Sequence, residues 1–245
     1  MDTTGFFHGN VADQLMGRYL SLPGLSAASP ELGWMAAQVD AVFDEMEASP
    51  EGILKWKHKD HRAQQLEFTR ECVTRLEDLL VTFCLPFSWQ AHWRFEVPVK
   101  VMYGSEARQV LLVGETDLLV FDREGRVICW DLKATKNNDY WRKVLGQLSM
   151  YAWAVRLSKS PQLGRWPARC GLLQPMCDQR WLPVDVMADN GQAVREMAGR
   201  IERVARDIWE GRVPPKPGEF CHNCEVRHAC SYWSATSGGK SLLVA

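Results

Sequence analysis

Residues 114–155 read GETDLLVFDREGRVICWDLKATKNNDYWRKVLGQLSMYAWAV. Asp117 stands in the apolar run 110–121, the turn residues Asp122, Arg123, Glu124 and Gly125 follow, and a second apolar run carries Asp131 and Lys133 as Asp-Leu-Lys. Two apolar runs around a polar turn closed by glycine predict a β-hairpin. Side chains alternate along a strand, so Asp131 and Lys133 share one face while Leu132 points the other way. With Asp117 on the neighbouring strand, two carboxylates and the Leu132 backbone carbonyl make the oxygen set that a hard divalent ion prefers. Mg²⁺ would keep several waters there, and Lys133 is placed to hold or activate one of them. The plainer reading is a structural ion pair between Asp131 and Lys133, because alternating charge on a strand face is ordinary.

The next element bears on that choice. Val144, Leu145, Leu148, Tyr151, Ala152 and Val155 recur at helical spacing, and Gln147 and Tyr151 stand one turn apart on the same helix. Gly-x-x-Asp, then Asp-x-Lys after a hairpin, then Gln-x-x-x-Tyr on a helix resembles the PD-(D/E)XK nuclease superfamily, specifically its RecB-like branch, over residues 9–233. The resemblance implies an α/β, restriction-endonuclease-like fold with a mixed central sheet flanked by helices. It further implies that Asp117, Asp131 and the Leu132 carbonyl bind Mg²⁺ or Mn²⁺, that Lys133 serves the attacking water, and that Gln147 and Tyr151 orient the lysine or contact DNA. The expected activity is metal-dependent hydrolysis of DNA phosphodiesters, exonucleolytic on single-stranded or frayed ends. Relatives act in recombination, repair, phage replication and CRISPR adaptation, so partner proteins from those processes are expected. The rival is a non-catalytic DNA-binding or assembly module on a nuclease fold, but a chain released from catalysis has no chemical need of Asp117, Asp131, Lys133, Gln147 and Tyr151 together. A zinc-stabilised protein-interaction domain is a second rival, and it leaves the acidic hairpin without a purpose.

Composition bounds the remaining choices. A chain of 245 residues, 46% hydrophobic and 24% charged, has material for a full core. The formal net charge of −1 tells against a protein that coats nucleic acid by bulk charge, so any DNA contact must come from local basic patches. No uninterrupted apolar stretch approaches the roughly 20 residues of a membrane span, and the N-terminus lacks a charged region leading into an apolar one. The expectation is a cytoplasmic chain without membrane contact. Eight cysteines in that compartment are expected free or bound to a metal or cluster rather than paired.

Three regions are expected: a helical region over 1–91, the nuclease core over 92–210, and a linker with a cysteine-rich tail over 211–245. In the first, residues 9–20 put Val11, Leu15 and Tyr19 on one helical face. RecB-like nucleases carry Gly-x-x-x-His on such a helix, and Gly9-Asn10-Val11-Ala12-Asp13 resembles that motif with Asp13 in place of histidine. Asp13 is thus a candidate metal ligand or a solvated helix residue. Helices are predicted over 34–48 and 61–81. Between them the basic run Lys55, Lys57, His58, Lys59, His61 and Arg62 is either a solvated face or a contact for the DNA backbone. Residues 92–103 alternate cleanly, with Trp93, Phe95, Val97, Val99 and Val101 on one side, which predicts a half-buried strand. Family nucleases often carry a glutamate facing the site from this strand, and Glu96 resembles it.

Beyond the helix of Gln147 and Tyr151, short strands are predicted over 168–175 and 180–186, with Cys170 and Cys177 as packing thiols. An amphipathic helix is predicted over 192–209 with Val194, Met197, Ile201, Val204 and Ile208 inward. After a proline-rich linker, Cys221, Cys224 and Cys230 form Cys-x2-Cys-x5-Cys, a spacing that converges on one metal ion or iron–sulfur cluster. It resembles the C-terminal triad of AddB-type and CRISPR-associated iron–sulfur exonucleases, which implies a 4Fe-4S cluster. The upstream cysteine of those relatives has no counterpart before Gly9, so Cys72 or Cys84 is a candidate fourth ligand, or His222 or His228 completes a zinc site.

Overall fold

The computed structural model describes residues 4–48 and 60–212. Its elements are α1 (Thr4–Leu20), α2 (Trp34–Glu47), α3 (His61–Phe83), β1 (Ser88–Tyr103), β2 (Glu106–Phe121), β3 (Val127–Leu132), α4 (Trp141–Leu157), β4 (Arg169–Leu173), β5 (Trp181–Val184) and α5 (Ala188–Trp209). The five strands form one mixed sheet in chain order. β1, β2 and β3 make an antiparallel meander, β4 lies parallel to β3, and β5 returns antiparallel to β4. A parallel neighbour requires a crossover, and α4 supplies it. The structure is thus the expected α/β fold with helices on both faces of a mixed sheet; the cysteine-rich tail lies outside the described residues.

The β2–β3 hairpin forms as its turn residues dictate. Asp122 Oδ1 accepts the backbone N–H of Glu124 at 2.9 Å and of Arg126 at 2.8 Å, and Gly125 takes φ 69°, a conformation free of steric cost without a Cβ. Beyond the turn, alternation sorts the side chains into two layers. Leu118, Val120, Trp130 and Leu132 pack with Val11, Leu15 and Tyr19 of α1 and with α2 and α3. Leu119, Val127 and Cys129 pack on the other face with Val144, Leu148, Tyr151, Ala152 and Val155 of α4.

β1 changes layers partway along. Trp89 and Ala91 lie with the α1–α3 layer, whereas Trp93, Phe95 and Val97 lie with α4. The reversal falls at His92, which has φ 49°, and the ladder passes over it: Ala91 pairs with Leu118 and Trp93 with Thr116, so His92 and Asp117 stand opposite each other as one unpaired step with the register unchanged. A single residue with positive φ inside a strand breaks the alternation and re-aims the side chains beyond it.

α5 departs from its expected orientation. Its regular turns begin after Asp189, Asn190 and Gly191, all of which have positive φ. Val194 and Ala205 are buried, but Val204 and Ile208 are 58% and 54% exposed rather than inward. The periodicity marked the apolar stripe correctly, but the neighbouring surface is narrow. Ala205 makes the close contact with Val99 and Val101 of β1, and the larger residues beside it overhang that contact. Among the described residues, no helix is long and apolar enough to cross a membrane.

Candidate active site

Asp117 stands one step beyond the last β2–β3 pair, Leu118 with Trp130, and so opposite Asp131. Its Oδ2 accepts the Leu132 N–H at 2.6 Å, which ties the carboxylate to β3. Leu132 therefore meets Asp117 through its amide. Asp131 is wholly buried. Its Oδ1 accepts hydrogen bonds from Gln147 Nε2 at 3.0 Å and from the Tyr151 hydroxyl at 3.4 Å, and Gln147 Nε2 also donates to that hydroxyl. Its Oδ2 lies 2.7 Å from Lys133 Nζ, an ion pair without the alignment of a hydrogen bond, so this buried oxygen has no hydrogen-bond partner. The five residues singled out on the hairpin and on α4 thus form one connected group.

The electrostatics of this group combine burial, mutual repulsion and the pull of Lys133. A carboxylate stabilised by a neighbouring lysine alone would sit below its ordinary pKa of 3.8; Asp131 is instead raised to about 6, by burial first and then by the charge of Asp117, against the opposing pull of Lys133. Asp117 is also raised to about 6, by burial and then by Asp13, with the Leu132 amide working the other way. Burial raises Asp13 as well, opposed chiefly by His92. Burial, and next Asp131, raises the Tyr151 phenol far above its ordinary value.

α1 delivers Asp13 to the same place. Its Oδ2 is 3.9 Å from His92 Nδ1, and its Oδ1 is buried without a hydrogen-bond partner. His92 Nδ1 lies 3.1 Å from Glu115 Oε1, and Arg94 Nε donates to Glu115 Oε2 at 2.7 Å. Glu115 is held below the usual carboxylate range by Arg94 first and by His92, against a smaller opposing effect of burial. His92, Arg94 and Glu115 had escaped the sequence reading, although Glu115 shares the strand parity of Asp117.

Glu96 is not brought to this cluster. It is exposed and pairs with Val113, four residues before Asp117 on β2, which puts it roughly 13 Å along the strand from the site. The glutamate beside the aspartates is Glu115. Cys72 and Cys84 are buried in the α1–α3 core, and burial pushes both thiols up to about 12. Of the basic run, Lys55, Lys57, His58 and Lys59 lie outside the described residues, as do Cys221, Cys224, Cys230, His222 and His228. His61 is buried, and Arg62 is paired with Glu47 and Asp44.

Among the described residues, no three His, Cys, Asp or Glu side chains converge into a ready-made metal cage. The donors present are nonetheless those of a hard ion that keeps much of its water and is held by one or two carboxylates. Asp13 Oδ1 is a buried carboxylate oxygen without a hydrogen-bond partner, and Asp131 Oδ2 is met only by the Lys133 ammonium.

A mixed sheet with two adjoining aspartates and a lysine where its hairpin meets a helix defines a nuclease core. The sequence profile of the PD-(D/E)XK nuclease superfamily matches residues 7–231, and the chain belongs to that superfamily, whose members generally use divalent metals such as Mg²⁺ or Mn²⁺. No curated protein matches the chain. Among solved structures, the crystal structure of SSO0001 is similar over 93% of this chain and 97% of that one, at 13% identity and a TM-score of 0.37, too loose a likeness to bear on function.

Proposed function

We propose that the chain is an Mg²⁺- or Mn²⁺-dependent deoxyribonuclease of the RecB-like branch, an exonuclease acting on single-stranded or frayed DNA ends. One observation carries the reading: the half-buried Asp117 and the wholly buried Asp131 stand side by side on adjacent strands with the Lys133 ammonium touching one of them, and burial raises both to about 6. A site built to carry uncompensated negative charge calls for a cation. The ion, when bound by Asp117 and Asp131 with Asp13 and the Leu132 carbonyl as further donors, supplies charge to offset the phosphate and acidity to its water.

The protein's own share follows from the contacts. Lys133 is partly exposed and its ammonium is fixed by Asp131, so it is placed to hold the attacking water against the scissile phosphate. Gln147 and the Tyr151 hydroxyl occupy the other oxygen of Asp131 and keep the carboxylate from rotating away. They orient rather than react, and the raised phenol of Tyr151 stays protonated and able to donate. Exonuclease action and single-strand preference rest on the order of the RecB-like motifs. An iron–sulfur cluster on Cys221, Cys224 and Cys230, with zinc as the alternative, rests on their spacing.

The test is digestion of end-labelled single-stranded, duplex and circular DNA with Mg²⁺, Mn²⁺ and EDTA, comparing the parent with Asp117→Ala. Release of nucleotides from linear single strands, lost with EDTA and with the variant, is the expected outcome. Cleavage of circles would rule out a purely exonucleolytic enzyme. Binding without cleavage under every metal would leave the non-catalytic module.

A further inference from the structure

His92 is the residue at this end of the sheet whose placement is hardest to account for by packing alone. It holds φ 49° inside a long strand, a conformation that residues with a Cβ rarely adopt and that persists where the surroundings enforce it. Its imidazole lies against α1. A Cβ on Gly17 would stand 2.4 Å from His92 Nε2 and 2.7 Å from Cδ2, so the absence of a side chain at position 17 is what lets the ring sit there. The α1 backbone covers that edge of the ring, and Nε2 faces no carboxylate. The opposite edge points into the site, with Nδ1 3.1 Å from Glu115 Oε1 and 3.9 Å from Asp13 Oδ2.

We infer that His92 is a positioning residue: wedged between α1 and the β1–β2 hairpin and anchored on Glu115, it holds the Asp13 carboxylate in place for the divalent ion. The inference rests on the metal-dependent reading above. Asp13 arrives on a helix and Asp117 on a strand, and His92 is the side chain that spans the seam between them. Arg94 fixes the second oxygen of Glu115, so that carboxylate is gripped from both sides and the ring in turn has a rigid partner. Loss of such a partner to a metal-binding group lowers metal affinity about 10- to 100-fold while leaving the ligands themselves in place.

His92→Gly and His92→Asn separate this role from packing. Glycine adopts positive φ freely and removes the ring; asparagine tolerates positive φ and puts Nδ2 where His92 Nδ1 stands. Calorimetric titration with MnCl₂ is run on each metal-free full-length protein beside thermal melts in EDTA. The expected result is a Gly variant that melts within a few degrees of the parent but needs about tenfold or more Mn²⁺ for half-saturation, with the Asn variant recovering part of the loss. A Gly variant that binds Mn²⁺ as tightly as the parent overturns the inference, as does an Asn variant no better than Gly. A Gly variant whose affinity falls only because it unfolds in EDTA reduces His92 to packing and also overturns it. A parent that takes up no Mn²⁺ removes the metal reading itself, and this role with it.

Discussion

Replacing Asp117 with asparagine should make the metal-free protein more stable at alkaline pH while destroying its metal dependence. The ordinary aspartate pKa of 3.8 is raised to about 6 in the folded chain, so the ionised form is worse off folded than unfolded. Such a group contributes its stability below about 3.8 and loses it as the pH rises through 6. A shift of about two units at about 1.4 kcal/mol each gives a penalty of roughly 3 kcal/mol at about pH 8, falling to roughly 1 kcal/mol at about pH 4.5. The asparagine side chain would keep the acceptor for the Leu132 amide and carry no charge. Its own desolvation is independent of pH, so the clean quantity is the difference between the two pH values, about 2 kcal/mol, or about 4–8 °C in Tm for a chain of this size. Urea and thermal melts of parent and Asp117→Asn in EDTA at the two pH values measure it. Adding Mn²⁺ at about pH 8 should then stabilise the parent and not the variant. An Asp117→Asn protein whose stability relative to the parent is the same at both pH values would refute the claim that this carboxylate is held charged against its surroundings.

Other expectations concern the same group and its supports. Asp131→Ala and Lys133→Ala should each lower metal-dependent DNA cleavage by about 10³-fold or more, with circular dichroism unchanged; parent-rate digestion by either would place the chemistry elsewhere. Tyr151→Phe keeps the buried ring and loses only the hydroxyl to Asp131, so steady-state cleavage should fall about tenfold, far less than for Asp131→Ala. Gly17→Ala favours helix by about 1 kcal/mol yet pushes a Cβ into the His92 ring, so Mn²⁺ affinity measured by titration should fall even though helix propensity rises. Changing Cys221, Cys224 or Cys230 to Ser should lower iron or zinc content and melting temperature together, and metal-free anaerobic protein with an unchanged melt in the triple variant would dismiss a cofactor.

What was legible in the chain is what short-range periodicity controls. Val11, Leu15 and Tyr19 follow one helical face, and all three are fully buried. Asp131 and Lys133 share a strand face by parity, and Gln147 and Tyr151 lie four apart on a helix; the structure puts all four in contact. Parity fails where the backbone leaves the strand conformation. Nothing in the local sequence marks His92 as the place where β1 changes layers, because the alternation of Trp93 to Val101 is clean on one side of it and the ring's contact is with Gly17 of α1, far away in the chain. Glu96 lies along the strand away from the site, opposite Val113, while Glu115, on the partner strand, stands at it. α5 escaped for a related reason: an apolar stripe states which residues share a face, and only the neighbouring surface decides how much of that face is covered.

The charges gathered here bear on how many ions the site takes. Four carboxylates, from Asp13, Glu115, Asp117 and Asp131, stand against one ammonium, Lys133, and one guanidinium, Arg94, which leaves two uncompensated negative charges with His92 left aside. Because Arg94 is spent on Glu115 at the solvent side, the deficit falls on the three aspartates, and those are the groups that burial and mutual repulsion raise. A single dication neutralises that deficit in the resting enzyme. A second would leave the buried cluster net positive, which low-dielectric surroundings penalise as heavily as net negative charge. DNA changes the balance, since each phosphate brings a negative charge of its own. The charge count therefore predicts one equivalent of Mn²⁺ bound by DNA-free protein and a second only in the presence of substrate phosphates; two equivalents taken up without DNA would refute it.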